Sequence, residues 1–128
     1  MATRRLSAVG SAEPALAWRR YAELGAWPTW SPQILGVESA AARIALGVGG
    51  RVHVLGGLRL PFTITAHDER ARTWSWVVRL GPVAMTLNHE VHAHPRGSGT
   101  VLVMEGPDPV LLGYAPLAWV ALRRLVAR

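Results

Sequence analysis

The chain has 128 residues, half of them apolar and 17% charged, with 14 basic against 8 acidic side chains and no cysteine. That size suits one domain with its own core, predicted to span 1–128, and the composition excludes global disorder. The missing cysteine excludes disulfides, thiolate metal sites and a cysteine nucleophile.

All 14 basic residues are arginines, scattered from Arg4 to Arg128 in runs no longer than two. A nucleic-acid footprint requires clustered charge, so no nucleic-acid partner is expected despite the net charge of +6. The longest uncharged stretches, Leu24 to Val37 and Pro109 to Leu122, have 14 residues each and contain prolines. A spanning helix needs about 20 apolar residues, so integral membrane association is not expected. The start carries two arginines but no apolar run of signal-peptide length, and the reading is a soluble, cytoplasmic protein.

Residues 4–10 read as a short strand. Ser11 is the predicted N-cap of a helix that Gly25 stops. Pro14, Ala17, Trp18, Tyr21, Ala22 and Gly25 fall on one face of it, with Glu13, Arg19, Arg20 and Glu23 off that face. Two prolines in Trp27-Pro28-Thr29-Trp30-Ser31-Pro32 allow only a helical turn. A strand is expected near 33–39, and the glycine-punctuated stretch 43–60 reads as turns and strand ends.

From residue 60 the pattern is strand after strand: 60–67, 72–79, 84–93 and 100–106, joined by short hairpin connections that make the sheet antiparallel. Asp108-Pro109 opens a last helix, with Asp108 as N-cap. Its stripe is Leu111, Tyr114, Ala118, Leu122 and Leu125, and Pro116 should kink it. The expected class is α+β, a long C-terminal helix lying across a curved antiparallel sheet.

Strand alternation sets Trp74 and Trp76 on one face, and Met85, Leu87, His89 and Val91 on the matching face of the next strand. A tight turn at Gly81-Pro82 pairs Trp76 with Leu87 and Trp74 with His89. A four-residue turn at 95–98 would set His89 opposite Met104 and Val91 opposite Leu102. Phe62, Ile64 and Ala66 join that face only if the turn at 68–71 has an odd length or a bulge. His89 is then one polar residue on a concave apolar face. It is either a core histidine satisfied by a backbone group or water, or a polar anchor or acid/base group in a pocket.

The run Asn88-His89-Glu90-Val91-His92-Ala93-His94 misses the helical metal-motif spacing by one residue, and on a strand His92 and His94 point away from His89. No metal is expected. Glu90 and Glu105 fall on the outer face, which disfavours a paired-carboxylate site. There is no phosphate loop and no nucleophile elbow. Most of the six tryptophans are expected in the core.

With these elements in order, the chain resembles the START/Bet v 1-like (SRPBCC) superfamily. Specifically, it is similar to bacterial members described as polyketide cyclase/dehydrase or lipid-transport-like. The residues that carry the resemblance are Ala17 to Leu24, the Trp27 to Pro32 segment with Val37-Glu38 after it, Phe62 to Ala66, Arg72 to Trp76, Leu87 to Val91 and Gly99-Thr100. The resemblance implies a helix-grip fold, about seven antiparallel strands wrapped around the C-terminal helix with a hydrophobic cavity between. It implies no universal catalytic motif.

The leading expectation is a binder or carrier of a small hydrophobic ligand, lipid- or polyketide-like, without a cofactor. Phe62, Ile64, Trp74, Trp76, Leu87 and His89 should line the pocket from the sheet. Met104, Tyr114 and Ala118 should complete it, with Trp27 and Trp30 near one end. The alternative is a polyketide cyclase or aromatase in which His89 is the acid/base group and Tyr114 bonds a substrate oxygen. Membrane-surface contact by the basic segment from Ala118 to Leu125 is a weaker idea, because the fold needs that helix for its core.

Overall fold

The computed structural model describes residues 1–128. The elements run β1 (Ala2–Gly10), α1 (Pro14–Ala22), a 3-10 turn (Leu24–Ala26), α2 (Trp27–Trp30), β2 (Ile34–Glu38), β3 (Gly49–Val54), β4 (Leu58–Asp68), β5 (Thr73–Leu80), β6 (Val83–His94), β7 (Gly97–Gly106) and α3 (Asp108–Leu125). The seven strands form one antiparallel sheet in the order β1-β7-β6-β5-β4-β3-β2. The concave face of the sheet and the buried side of α3 share one core of 25 buried residues, which α1 and α2 also enter. This is an α+β helix-grip fold, as expected.

The β5–β6 register is the expected one, with Trp76 opposite Leu87 and Trp74 opposite His89. The β6–β7 register is not. The turn is only Pro95-Arg96, and Gly97, Ser98 and Gly99 belong to β7. His89 therefore faces Leu102, Leu87 faces Met104 and Val91 faces Thr100. Gly97 explains the tight turn: it adopts φ +146° and packs against the Gly10–Ala12 backbone, where no Cβ fits. The slip is two residues, an even number, so every side chain keeps its face.

A bulge between Ile64 and Ala66 resolves β4. Phe62 and Ile64 turn to the core opposite Val78 and Trp76, whereas Ala66 lands opposite Ser75 and is exposed. The stretch expected as turns and strand ends holds a full strand, β3, closed by a Leu55-Gly56-Gly57 turn with both glycines at positive φ.

The helix ends also differ from expectation. Pro14 needs no donor and presets φ, so α1 starts there, with Glu13 rather than Ser11 before it. Ala12 instead donates its N–H to the Val126 carbonyl at 2.9 Å, tying the chain to the end of α3. α1 stops at Ala22, because Glu23 turns extended and Leu24 N–H bonds the Ala42 carbonyl at 3.0 Å. At α3 the residue before the helix is Pro107, and Asp108 lies in the first turn. Its carboxylate accepts from Arg4 Nε and Nη2 at 3.0 and 2.7 Å. Pro116 sits inside α3 without ending it.

Candidate ligand site

The motif after α1 has a local reason. A helix leaves its last carbonyls without internal partners. Trp27 Nε1 donates to the Tyr21 carbonyl and Trp30 Nε1 to the Arg20 carbonyl, both at 2.8 Å. The two indoles thus close the end of α1, and both are buried.

Around them the concave end of the grip is filled by aromatic rings. Trp27 stacks on Trp74 and meets Trp76 edge-on at centroid distances of 5.6 and 4.9 Å. Phe62 packs on Trp76 at 5.4 Å. His89 lies flat on Trp74, 4.0 Å away with 6° between planes, and edge-on to Tyr21 at 5.1 Å. Five of the six tryptophans are buried; Trp119 is 46% exposed on α3, with the Arg123 guanidinium 4.7 Å above its ring.

His89 is tied into this stack. Nδ1 lies 3.2 Å from the Trp74 carbonyl, which can only accept, so Nδ1 carries the proton and Nε2 is the bare acceptor. Burial disfavours the imidazolium, and the pKa is pushed down to about 3. Beside it, burial raises the Tyr21 phenol. Tyr21 donates to Thr100 Oγ1 at 2.7 Å, and Thr100 in turn donates to the Glu90 carbonyl at 2.8 Å.

Two spaces remain between sheet and helix. The larger is a cleft of about 240 Å³ toward the far ends of β3–β6, and 14 of its 16 lining residues are hydrophobic. Val52, Val54, Leu60, Val78 and Met85 form its sheet wall, and Val110, Tyr114 and Leu117 come from α3. Leu55, Leu80 and Leu117, all 38% exposed or more, rim it. The smaller is an inner chamber of about 20 Å³, lined by Trp74, Trp76, His89, Ser31 and Gln33 among others. Gln33, Ile34, Trp76, Leu87 and Tyr114 line both spaces.

Of the residues expected to line a pocket, Trp76, Leu87 and Tyr114 border the cleft. Trp27, Trp30, Trp74, His89 and Ala118 border only the inner chamber. Phe62, Ile64 and Met104 line neither space and are packed core. The pocket is therefore displaced from the tryptophan–histidine centre, where rings fill the volume, toward smaller aliphatic residues. Sequence reasoning missed Gln33 and the β3 wall, because the glycine-rich stretch concealed the valine alternation of Val52 and Val54. Gln33 Nε2 donates to Tyr114 Oη at 2.9 Å, and burial raises the Tyr114 phenol, which stays protonated.

No group of three or more His, Asp or Glu side chains is placed to hold a metal ion. On the outer face Asn88 links Ser75, at 2.6 Å, to Glu105, at 3.2 Å. No helix is long and apolar enough to cross a membrane.

A curved seven-stranded sheet gripping a C-terminal helix, with an apolar cleft between them, defines a Bet v 1-like protein of the SRPBCC superfamily. Among solved structures the fold matches protein MLL2253 from Mesorhizobium loti, at 17% identity and a TM-score of 0.80, covering 98% of this chain and 94% of that one. It also matches Ara h 8.0201, at 15% identity and 0.78, covering 98% and 95%. Protein CV1439 from Chromobacterium violaceum matches at 19% identity and 0.72, covering 97% and 94%. No curated protein matches the sequence significantly. The family model for polyketide cyclase/dehydrase and lipid transport matches residues 1–128, and the chain belongs to that family.

Proposed function

We propose that this protein binds and carries a small hydrophobic molecule in the cleft between β2–β6 and α3. The observation that carries the reading is the cleft itself: about 240 Å³ with only Gln33 and Arg79 as non-hydrophobic walls. Ligand pockets are apolar concavities with a few polar groups that set orientation. Roughly 150 Å³ accommodates a benzene ring, so the ligand is somewhat larger than one ring.

The cyclase reading with His89 as acid/base is the weaker one. A histidine with a pKa of about 3 has no proton to give near neutral pH and is a poor base. It is also stacked on Trp74 rather than set in the cleft. If the protein does act on a bound polyketide-like molecule, Tyr114 is the protonated group in position to bond its oxygen.

The test is direct binding. Native mass spectrometry of the purified protein should show a co-purified small molecule, and the uncharged fluorophore N-phenyl-1-naphthylamine should brighten on binding. Val83→Trp, which fills the cleft from its rim, should abolish both signals while the melting temperature is kept. A wild-type protein that neither retains a molecule nor takes up the fluorophore would sink the reading.

A further inference from the structure

Four of the residues that line the inner chamber each carry a buried polar atom without a hydrogen-bond partner in the protein: Ser31 Oγ, Gln33 Oε1, Trp74 Nε1 and Trp76 Nε1. Buried polar groups are nearly always paired, so four orphans on the residues around one small space point to an occupant. The Gln33 amide makes the same demand whichever way it is turned: one arm pairs with Tyr114 and the other has no partner. The four atoms include two obligate donors, the indole N–H groups, and an amide arm.

A space of about 20 Å³ takes one oxygen-sized group. It adjoins the apolar cleft through Gln33, Trp76 and Tyr114, which line both. The chamber contains no arginine, and its one histidine is neutral. A carboxylate or phosphate would be buried there without a counter-charge, at a heavy desolvation cost.

We infer that the ligand is a neutral, singly oxygenated apolar molecule, an alcohol or ketone, whose oxygen enters the chamber against Trp76 and Gln33 while its hydrocarbon body fills the cleft. The inference deepens the carrier reading and rests on it. The hydroxyl or carbonyl accepts from an indole N–H, and a hydroxyl also donates to the free amide oxygen. The apolar body supplies affinity, and the chamber supplies orientation and selects against charged amphiphiles.

The test is a ligand series with one skeleton and different heads: p-cymene, 4-isopropylbenzyl alcohol and 4-isopropylbenzoate. Affinities are read by displacement of N-phenyl-1-naphthylamine and by calorimetry. Transfer out of water alone favours p-cymene, so tighter binding of the alcohol is diagnostic. The alcohol should bind at least about tenfold tighter than p-cymene and about tenfold tighter than the carboxylate. In Trp76→Phe and Gln33→Leu the alcohol-to-p-cymene ratio should fall toward one. If p-cymene or the carboxylate binds as well as the alcohol in the wild type, the inference is overturned and the carrier reading stands. Unchanged ratios in both folded variants also overturn it. If no member of the series and no fluorophore binds, the carrier reading itself fails.

Discussion

His89 carries the clearest residue-scale consequence. Its pKa is about 3 in the folded protein, and an unfolded histidine titrates near about 6.5. Below about pH 6.5 the unfolded chain takes up a proton that the folded one refuses, so stability falls as the pH drops from there toward 3. The slope reaches about 1.4 kcal/mol per pH unit. Glu69 does not contribute in the upper part of that window. Burial alone would raise its pKa, but the Trp18 indole (2.6 Å), His67 and Arg43 together hold it below 4.5, so its share is lost only at lower pH. Urea midpoints of wild type and His89→Gln between about pH 7 and pH 5 test this. The wild type should lose stability across that range and the variant much less; parallel slopes would refute it. The sequence alone left His89 either a satisfied core histidine or a pocket anchor. The Trp74 carbonyl at 3.2 Å favours the first, and no strand pattern could show a contact to that carbonyl.

At the scale of elements, α3 is held at both ends by arginines from the first 20 residues. Arg4 of β1 takes Asp108 in its first turn. Arg20 of α1 donates through Nη1 to the carbonyls of Leu125 and Ala127, at 2.6 Å each, and of Arg124, at 3.2 Å. These are carbonyls that a helix end leaves unpaired, and a cation there also opposes the helix dipole. The cost of Arg20→Ala should be about 1–2 kcal/mol in urea denaturation, against a few tenths for Arg19→Ala, whose side chain is exposed. Equal effects would argue that Arg20 contributes no cap. Element existence was legible from periodicity, and so was the β5–β6 register. The β6–β7 register was not, because Gly97 reads in sequence as a turn residue. Its place in β7 depends on contact with the Gly10–Ala12 backbone, almost ninety residues earlier.

Across the whole molecule the grip divides into a packed end and an open end. The packed end gathers the large rings, with Trp27 and Trp74 each only 1% exposed. The open end is walled by Val, Leu and Met and rimmed by exposed leucines. Stability and binding should therefore separate. Trp74→Ala should cost about 3–5 kcal/mol, as large-to-small core substitutions do. Leu60→Ala, half-buried on the cleft wall, should cost roughly 1 kcal/mol, yet weaken fluorophore uptake. Thermal melts paired with fluorophore titrations check both, and a Leu60 variant with wild-type binding would remove this wall from the site.

Local chemistry and periodicity determined most of the secondary structure and the α+β class. They also determined which face of β5 and β6 is apolar, because alternation and helical spacing are properties of neighbouring residues. The resemblance carried by the Trp27–Pro32 segment added the helix-grip arrangement. The position of the pocket was decided only by tertiary structure. Side-chain volume left over after packing depends on residues far apart in the chain, and here the six aromatic side chains of Tyr21, Trp27, Phe62, Trp74, Trp76 and His89 consume the centre. The same holds for the orphaned polar atoms: Gln33 and Trp76 look like ordinary strand residues until the fold closes around them without supplying partners.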